Sequence, residues 1–179
     1  MMMNRLTSFA RRFRKDEDGN ATVEFAVYFT VFFLLLAAAV EVAYMNLRHA
    51  MLERGVDLAT REIRLSTGDI PSYTDVRAMI CEKAAILDDC EANLRLEMVQ
   101  VQPRDFSAAP VDADCQNAAQ DPHPVRNFVP GRDNDLMLMR ACLKYKPMLP
   151  TTSLGKKLNK DDEGYAQMVV TSAFVQEPR

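Results

Sequence analysis

A lone glutamate, a nearby glycine and four cysteines are the residues of this chain whose type and spacing could do chemistry. Glu24 stands inside the start of an apolar run, in the stretch Asp18-Gly19-Asn20-Ala21-Thr22-Val23-Glu24-Phe25-Ala26. A carboxylate at membrane depth costs on the order of 2.5–3.5 kcal/mol, so it usually has a partner. The plainer account puts Glu24 in the headgroup zone, reaching up to water. Cys81, Cys90, Cys115 and Cys142 all follow the apolar run. They can form disulfides if that part of the chain lies outside the cytoplasm. Four cysteines allow three pairings, of which Cys81–Cys90 and Cys115–Cys142 are favoured. The first closes a short turn after a helix, and the second ties a long loop to a strand. Zinc is the rival, but no C-x2-C spacing is present, and His123 lies between prolines.

Other chemistry lacks a constellation. There is no H-E-x-x-H, no G-x-S-x-G and no P-loop. His49, beside Arg48, reads as headgroup-facing just past the apolar run. Asp88 and Asp89 are adjacent at a helix end, where such residues usually face water. No cofactor is expected, and the chain does not read as an enzyme.

The elements that would position these groups begin with the apolar run Phe25–Val40, which holds no charged residue. Sixteen helical residues reach about 24 Å, slightly short of a hydrocarbon core of about 30 Å. Adding Ala21–Val23 and Val42–Met45 makes the span adequate, and the wider span then contains Glu24 and Glu41. Residues 1–18 carry five bases and three acids, a net of +2, which leaves −5 for the rest of a chain of net charge −3. A basic tip ahead of an apolar run places the N-terminus on the cytoplasmic side. A cleaved secretory signal would have a shorter run and a small-residue site, and Ala37-Ala38-Ala39 imitates one. The sequence after it continues without a break, so a signal anchor fits better.

The junction resembles the processing site of type IV prepilins, in which a membrane-embedded prepilin peptidase cuts after the glycine. The resemblance implies a cut between Gly19 and Asn20, with Glu24 the fifth residue of the product and Phe25 following it. The new ammonium group and a buried carboxylate on a neighbouring subunit would pair, favouring one axial register. A closer resemblance is to the TadE-like, tight-adherence minor pseudopilins. Besides Glu24-Phe25, it rests on Ala59-Thr60-Arg61-Glu62-Ile63-Arg64-Leu65-Ser66-Thr67-Gly68 and on the closing Ala173-Phe174-Val175-Gln176-Glu177-Pro178. Gln176 stands where that family often has Asn. The resemblance implies a minor pseudopilin that takes part in assembly of a tight-adherence (Flp-type) pilus. Its implied partners are a prepilin peptidase, other minor pseudopilins, the major pilin, the inner-membrane assembly platform and membrane lipid. The implied location is the bacterial inner membrane, with the C-terminal domain periplasmic. The competing reading is a signal-anchored extracytoplasmic binding or sensor module with no pilus role.

Beyond the apolar run, Leu52, Val56, Ala59 and Ile63 recur at helical spacing. One helix is expected from near Ala21 to about Leu65, with its outer stripe packed on the chain's own sheet. Gly55 should weaken that helix by about 1 kcal/mol relative to alanine. A second helix is expected over Tyr73–Leu87, with Val76, Ile80 and Ala84 buried. Strands are expected over Leu94–Val101, Leu136–Tyr145 and Ala166–Val175, with Pro103 and Pro147 marking strand ends. Pro103–Asn134 and Pro150–Gly164 read as surface loops, the second with a solvated charge cluster.

Hydrophobic residues make up 48% of the 179 and charged residues 26%. That composition excludes a disordered chain and a polytopic transporter. The charge balance also argues against nucleic acid as a partner. The expected architecture is α+β. Residues 1–19 form a basic leader, 20–45 a transmembrane helix, 46–68 its extracytoplasmic continuation, and 69–179 a small domain with an antiparallel sheet packed on helices.

Overall fold

A computed structural model describes residues 20–66, 71–104, 113, 115 and 128–178. Those up to Val40 belong to one unit and those from Glu41 to a second. The first helix, α1, spans Asn20–Leu65 and contributes to both.

In the first unit α1 holds the carbonyls of residues 21–40, and the amides from Glu24 on, within one helix while side chains 21–36 stand exposed. A single helix is the way one apolar segment satisfies its own backbone without water. Residues 21–40 reach about 30 Å, the thickness of a bilayer's hydrocarbon core. This one apolar helix fits a single-pass membrane anchor.

The second unit is an α+β domain. After α1 come α2 (Tyr73–Lys83), the short α3 (Cys90–Asn93), β1 (Leu94–Gln100), β2 (Leu136–Tyr145), the short α4 (Ser153–Lys157) and β3 (Ala166–Val175). The strands form an antiparallel sheet in the order β1-β2-β3. Alternate residues of each strand point to the same face. One face presents Leu94, Leu96 and Met98 of β1, then Met137, Met139, Ala141 and Leu143 of β2, then Met168, Val170 and Phe174 of β3. All are buried in one cluster with Leu52, Val56, Ala59 and Ile63 of α1 and Val76, Ile80 and Ala84 of α2. The expected inner stripe of α1 is therefore core.

Gly55 acquires a different meaning in this packing. A Cβ built on it would lie 2.8 Å from the Ile80 carbonyl oxygen. The glycine lets α1 approach the backbone of α2, and that close approach outweighs its poor helix propensity. Helix α2 opens with a capping box: Ser72 Oγ accepts from the Asp75 amide at 3.3 Å, and the Asp75 carboxylate accepts from the Ser72 amide at 3.1 Å. The Ser72 hydroxyl, donating to the Asp75 carboxylate at 2.6 Å, and then the Ser72 amide hold the Asp75 carboxyl below its usual range.

Three expectations change. Helix α2 stops at Lys83 rather than Leu87, because Ala84 leaves helical geometry (φ −103°, ψ 48°). The turn that follows buries Leu87 and returns Cys90 to within disulfide reach of Cys81. Asp89 takes a left-handed φ of 48° there, a conformation that aspartate tolerates better than most residues. The loop 150–164 contains α4, capped by Thr152, whose Oγ1 accepts from the Gly155 amide at 3.4 Å. Its charge cluster is not all solvated. Asp161 is 17% exposed and receives Lys144 Nζ at 2.9 Å. It also accepts from the amides of Glu163 and Tyr165. The Lys144 bond leads the causes that keep its carboxyl below the usual range.

The opposite face of β2 carries Arg140, Cys142 and Lys144, all buried. Arg140 donates to Glu97 on β1 at 2.6 Å, across the register pair Glu97↔Arg140. Glu97 is 6% exposed on this same face, and the guanidinium beside it offsets the cost of burying its charge.

Candidate functional site

Two stretches of the chain carry features that packing alone does not explain. The first is the start of α1. Gly19 lies outside the described residues. Asn20 is the first residue of α1, and Glu24 and Phe25 are exposed in its opening turns. Phe25 stacks on Phe29 at 5.4 Å between ring centroids, and Phe29 stacks on Phe33 at 6.2 Å. The spacing of four places the three rings in one ladder along the helix. Thr30 donates its hydroxyl to the Ala26 carbonyl at 2.7 Å, so its polar group is satisfied within the helix. This segment is an apolar surface bearing one carboxylate near its N-terminal end.

The second stretch begins at Glu41. Sequence reasoning put Glu41 near the end of a membrane span; the structure makes it the first residue of the globular unit and 5% exposed. Strand β2 ends at Tyr145, and Pro147 has no amide hydrogen to continue the ladder. The next two amides, of Met148 and Leu149, need an acceptor elsewhere. Glu41 supplies it, with Oε1 3.1 Å from the Met148 nitrogen and Oε2 2.8 Å from the Leu149 nitrogen. Hydrogen bonds to a charged acceptor are roughly twice as strong as neutral ones.

Seven residues on, Arg48 lies on the same side of α1, two turns away. It is 9% exposed. Its guanidinium donates to the Lys146 carbonyl at 3.1 Å and to Tyr44 Oη at 3.4 Å, and pairs with Asp88 at 3.4 Å. Its central carbon lies 4.3 Å from the Tyr44 ring centroid and 5.4 Å from that of Tyr145. Burial pushes the Tyr145 hydroxyl above its ordinary range, although Arg48 pulls the other way. Glu41 and Arg48 together fasten the segment after β2 to the first turns of the domain. The signal that could have found them was a carboxylate directly after an uncharged run, followed at helical spacing by an arginine.

Of the other expected residues, disulfides join Cys81 to Cys90 and Cys115 to Cys142, the favoured pairs. His49 lies 3.8 Å from Glu53 on the same helix face. Asp88 is exposed and partners Arg48. His123 lies outside the described residues. Among the described residues, no group of three or more His, Cys, Asp or Glu is placed to hold a metal ion.

Fold and site together describe an α+β domain on an apolar anchor helix, fastened at its first residues and stapled by disulfides. The family model described as TadE-like protein matches residues 19–61, from Gly19 through most of α1. Over that stretch the chain is similar to TadE-like proteins. No curated protein and no solved structure gives a match.

Proposed function

We propose that the chain is a minor pseudopilin taking part in assembly of a tight-adherence pilus, after a prepilin peptidase removes its leader. The observation that carries this reading is the TadE-like match, because it begins at Gly19 and includes Glu24, Phe25 and the whole apolar segment. Cleavage after Gly19 would make Asn20 the N-terminus and Glu24 the fifth residue. The side chains of residues 21–36 are exposed, which leaves them for lipid or for neighbouring helices. Other minor pseudopilins, the major pilin and the inner-membrane platform are the partners this role requires. The proposed placement has the N-terminus cytoplasmic and the globular unit periplasmic, which suits its two disulfides. The proposed action is structural: the chain binds and primes, and does not turn over a substrate.

The test is piliation of a strain lacking this protein, complemented with the wild type, Gly19→Phe or Glu24→Ala. The wild type should restore pili. Gly19→Phe should fail by blocking processing. Glu24→Ala should be processed yet assemble poorly, because it removes the carboxylate that would meet a neighbour's new ammonium group. Full piliation by both variants would contradict the role.

A further inference from the structure

The segment that Glu41 fastens has a composition unlike the rest of the chain. From Lys146 to Lys160 it holds four lysines (Lys146, Lys156, Lys157 and Lys160) and no acidic residue, in a chain of net charge −3. At its tip Met148 is 54% exposed and Leu149 36% exposed, and Pro150 is exposed beside them. Apolar tips are usually tolerated on loose loops, but this one is held. Glu41 binds its two amides, Thr152 Oγ1 donates to the Leu149 carbonyl at 2.8 Å, and Lys160 Nζ donates to the Pro150 carbonyl at 3.1 Å. Gly155 lies so close to Leu149 that a Cβ there would strike the Leu149 carbonyl oxygen. The apolar side chains are thus presented outward by a braced backbone.

What they meet follows from where the brace is attached. Glu41 is the residue directly after Val40, and residues 21–40 have the length of a hydrocarbon core. The headgroup layer beyond that core is about 5–8 Å thick, so a backbone bonded directly to Glu41 falls within it. Met, Leu and Pro side chains flanked by lysines are the composition that favours an interface with anionic headgroups. Tyr44, Tyr145 and Tyr165 surround the segment's start, with Lys146 Nζ 4.8 Å from the Tyr165 ring centroid. Tyrosine is enriched at that same depth.

We infer that residues 146–160 form a lipid-contacting foot: Met148, Leu149 and Pro150 enter the headgroup region of the bilayer crossed by residues 21–40, and the lysines bind anionic phospholipid. The foot rests on the reading of α1 as a membrane anchor.

The natural chain has no tryptophan, so one introduced indole reports its own depth. The full chain is reconstituted in vesicles of phosphatidylethanolamine and phosphatidylglycerol containing a lipid brominated near the top of its acyl chains. Leu149→Trp and Met148→Trp are compared with Val175→Trp, an exposed position at the far end of the sheet, about 30 Å along β2 from Tyr145. Phe29→Trp reports insertion of α1. Quenching at positions 148 and 149 should exceed that at 175 by roughly threefold, and should fall when phosphatidylglycerol is replaced by phosphatidylcholine. Strong quenching of Phe29→Trp with Leu149→Trp and Met148→Trp no different from Val175→Trp overturns the foot and leaves the anchor standing. Unchanged quenching without phosphatidylglycerol overturns the part given to the lysines. An unquenched Phe29→Trp overturns the anchor, and the foot with it.

Discussion

The two parts of α1 are one helix with two different side-chain patterns. From residue 21 to 40 it has no charge after Glu24 and its large side chains face outward, Phe29 at 52% and Leu35 at 67% exposure. From Glu41 to Leu65 charged residues return, and Leu52, Val56, Ala59 and Ile63 vanish into a core at 0–1% exposure. The backbone is the same in both. What differs is the pattern: unbroken apolarity suits surroundings that are apolar on every side, whereas a stripe at helical spacing suits one packed face. The change falls at Glu41, a carboxylate already committed to two amides of the globular unit. The all-apolar pattern thus gives way to that of a packed helix at a single residue.

Substitutions can break this contrast. Leu52→Ala should destabilise the globular unit by about 4 kcal/mol, a buried-leucine cavity, while Phe29→Ala on the outward ladder should leave it within about 0.5 kcal/mol. Urea unfolding of the full chain in mild detergent, followed through the globular unit's circular dichroism, measures both. Equal effects would mean that the two stretches are not in different environments. Glu41→Ala should cost about 2 kcal/mol in the same experiment, because two part-buried amides lose a charged acceptor. It should also speed hydrogen exchange at the Met148 and Leu149 amides more than elsewhere. Gly55→Ala sharpens the comparison by its sign. On a helix exposed all round the change should stabilise by about 1 kcal/mol. Against the Ile80 carbonyl it should instead destabilise by about 1–2 kcal/mol.

The smallest expected effect is an acid-limb change at Asp161. Its folded-state pKa is lowered, with the Lys144 bond as the first cause. Its contribution to stability is therefore complete above the ordinary carboxylate range near pH 4 and is lost as pH falls through the lowered folded value. Asp161→Asn should flatten that part of the stability–pH curve and leave the slope above pH 5 unchanged. An unchanged acid limb would show that the ion pair does not persist in solution.

Much of this architecture was legible from pattern. The strands β2 and β3 were readable because mostly apolar ten-residue stretches, bounded by proline, glycine and charge, have few other uses. The inner stripe of α1 was readable because four residues repeat at helical spacing. Glu41 was not, because a carboxylate beside an apolar run looks the same whether it faces lipid headgroups or two amides 107 and 108 residues away. The end of α2 was missed for a related reason. Ala84, Ala85 and Ile86 are good or tolerable helix residues, yet the chain turns there and brings Cys90 back to Cys81. Gly55 was seen as a defect, because its benefit lies in Ile80, which is distant in sequence. In the candidate processing site the residue types and spacing were all in the sequence, and Gly19 is known only from it.

The central claim is that the chain is cut after Gly19 and keeps its apolar helix. Intact mass of the membrane-purified protein, co-expressed with or without its cognate prepilin peptidase, tests it most directly. The account predicts a product beginning at Asn20 that depends on the peptidase and disappears in Gly19→Phe. A full-length chain beside a peptidase shown to be active on another prepilin would contradict it.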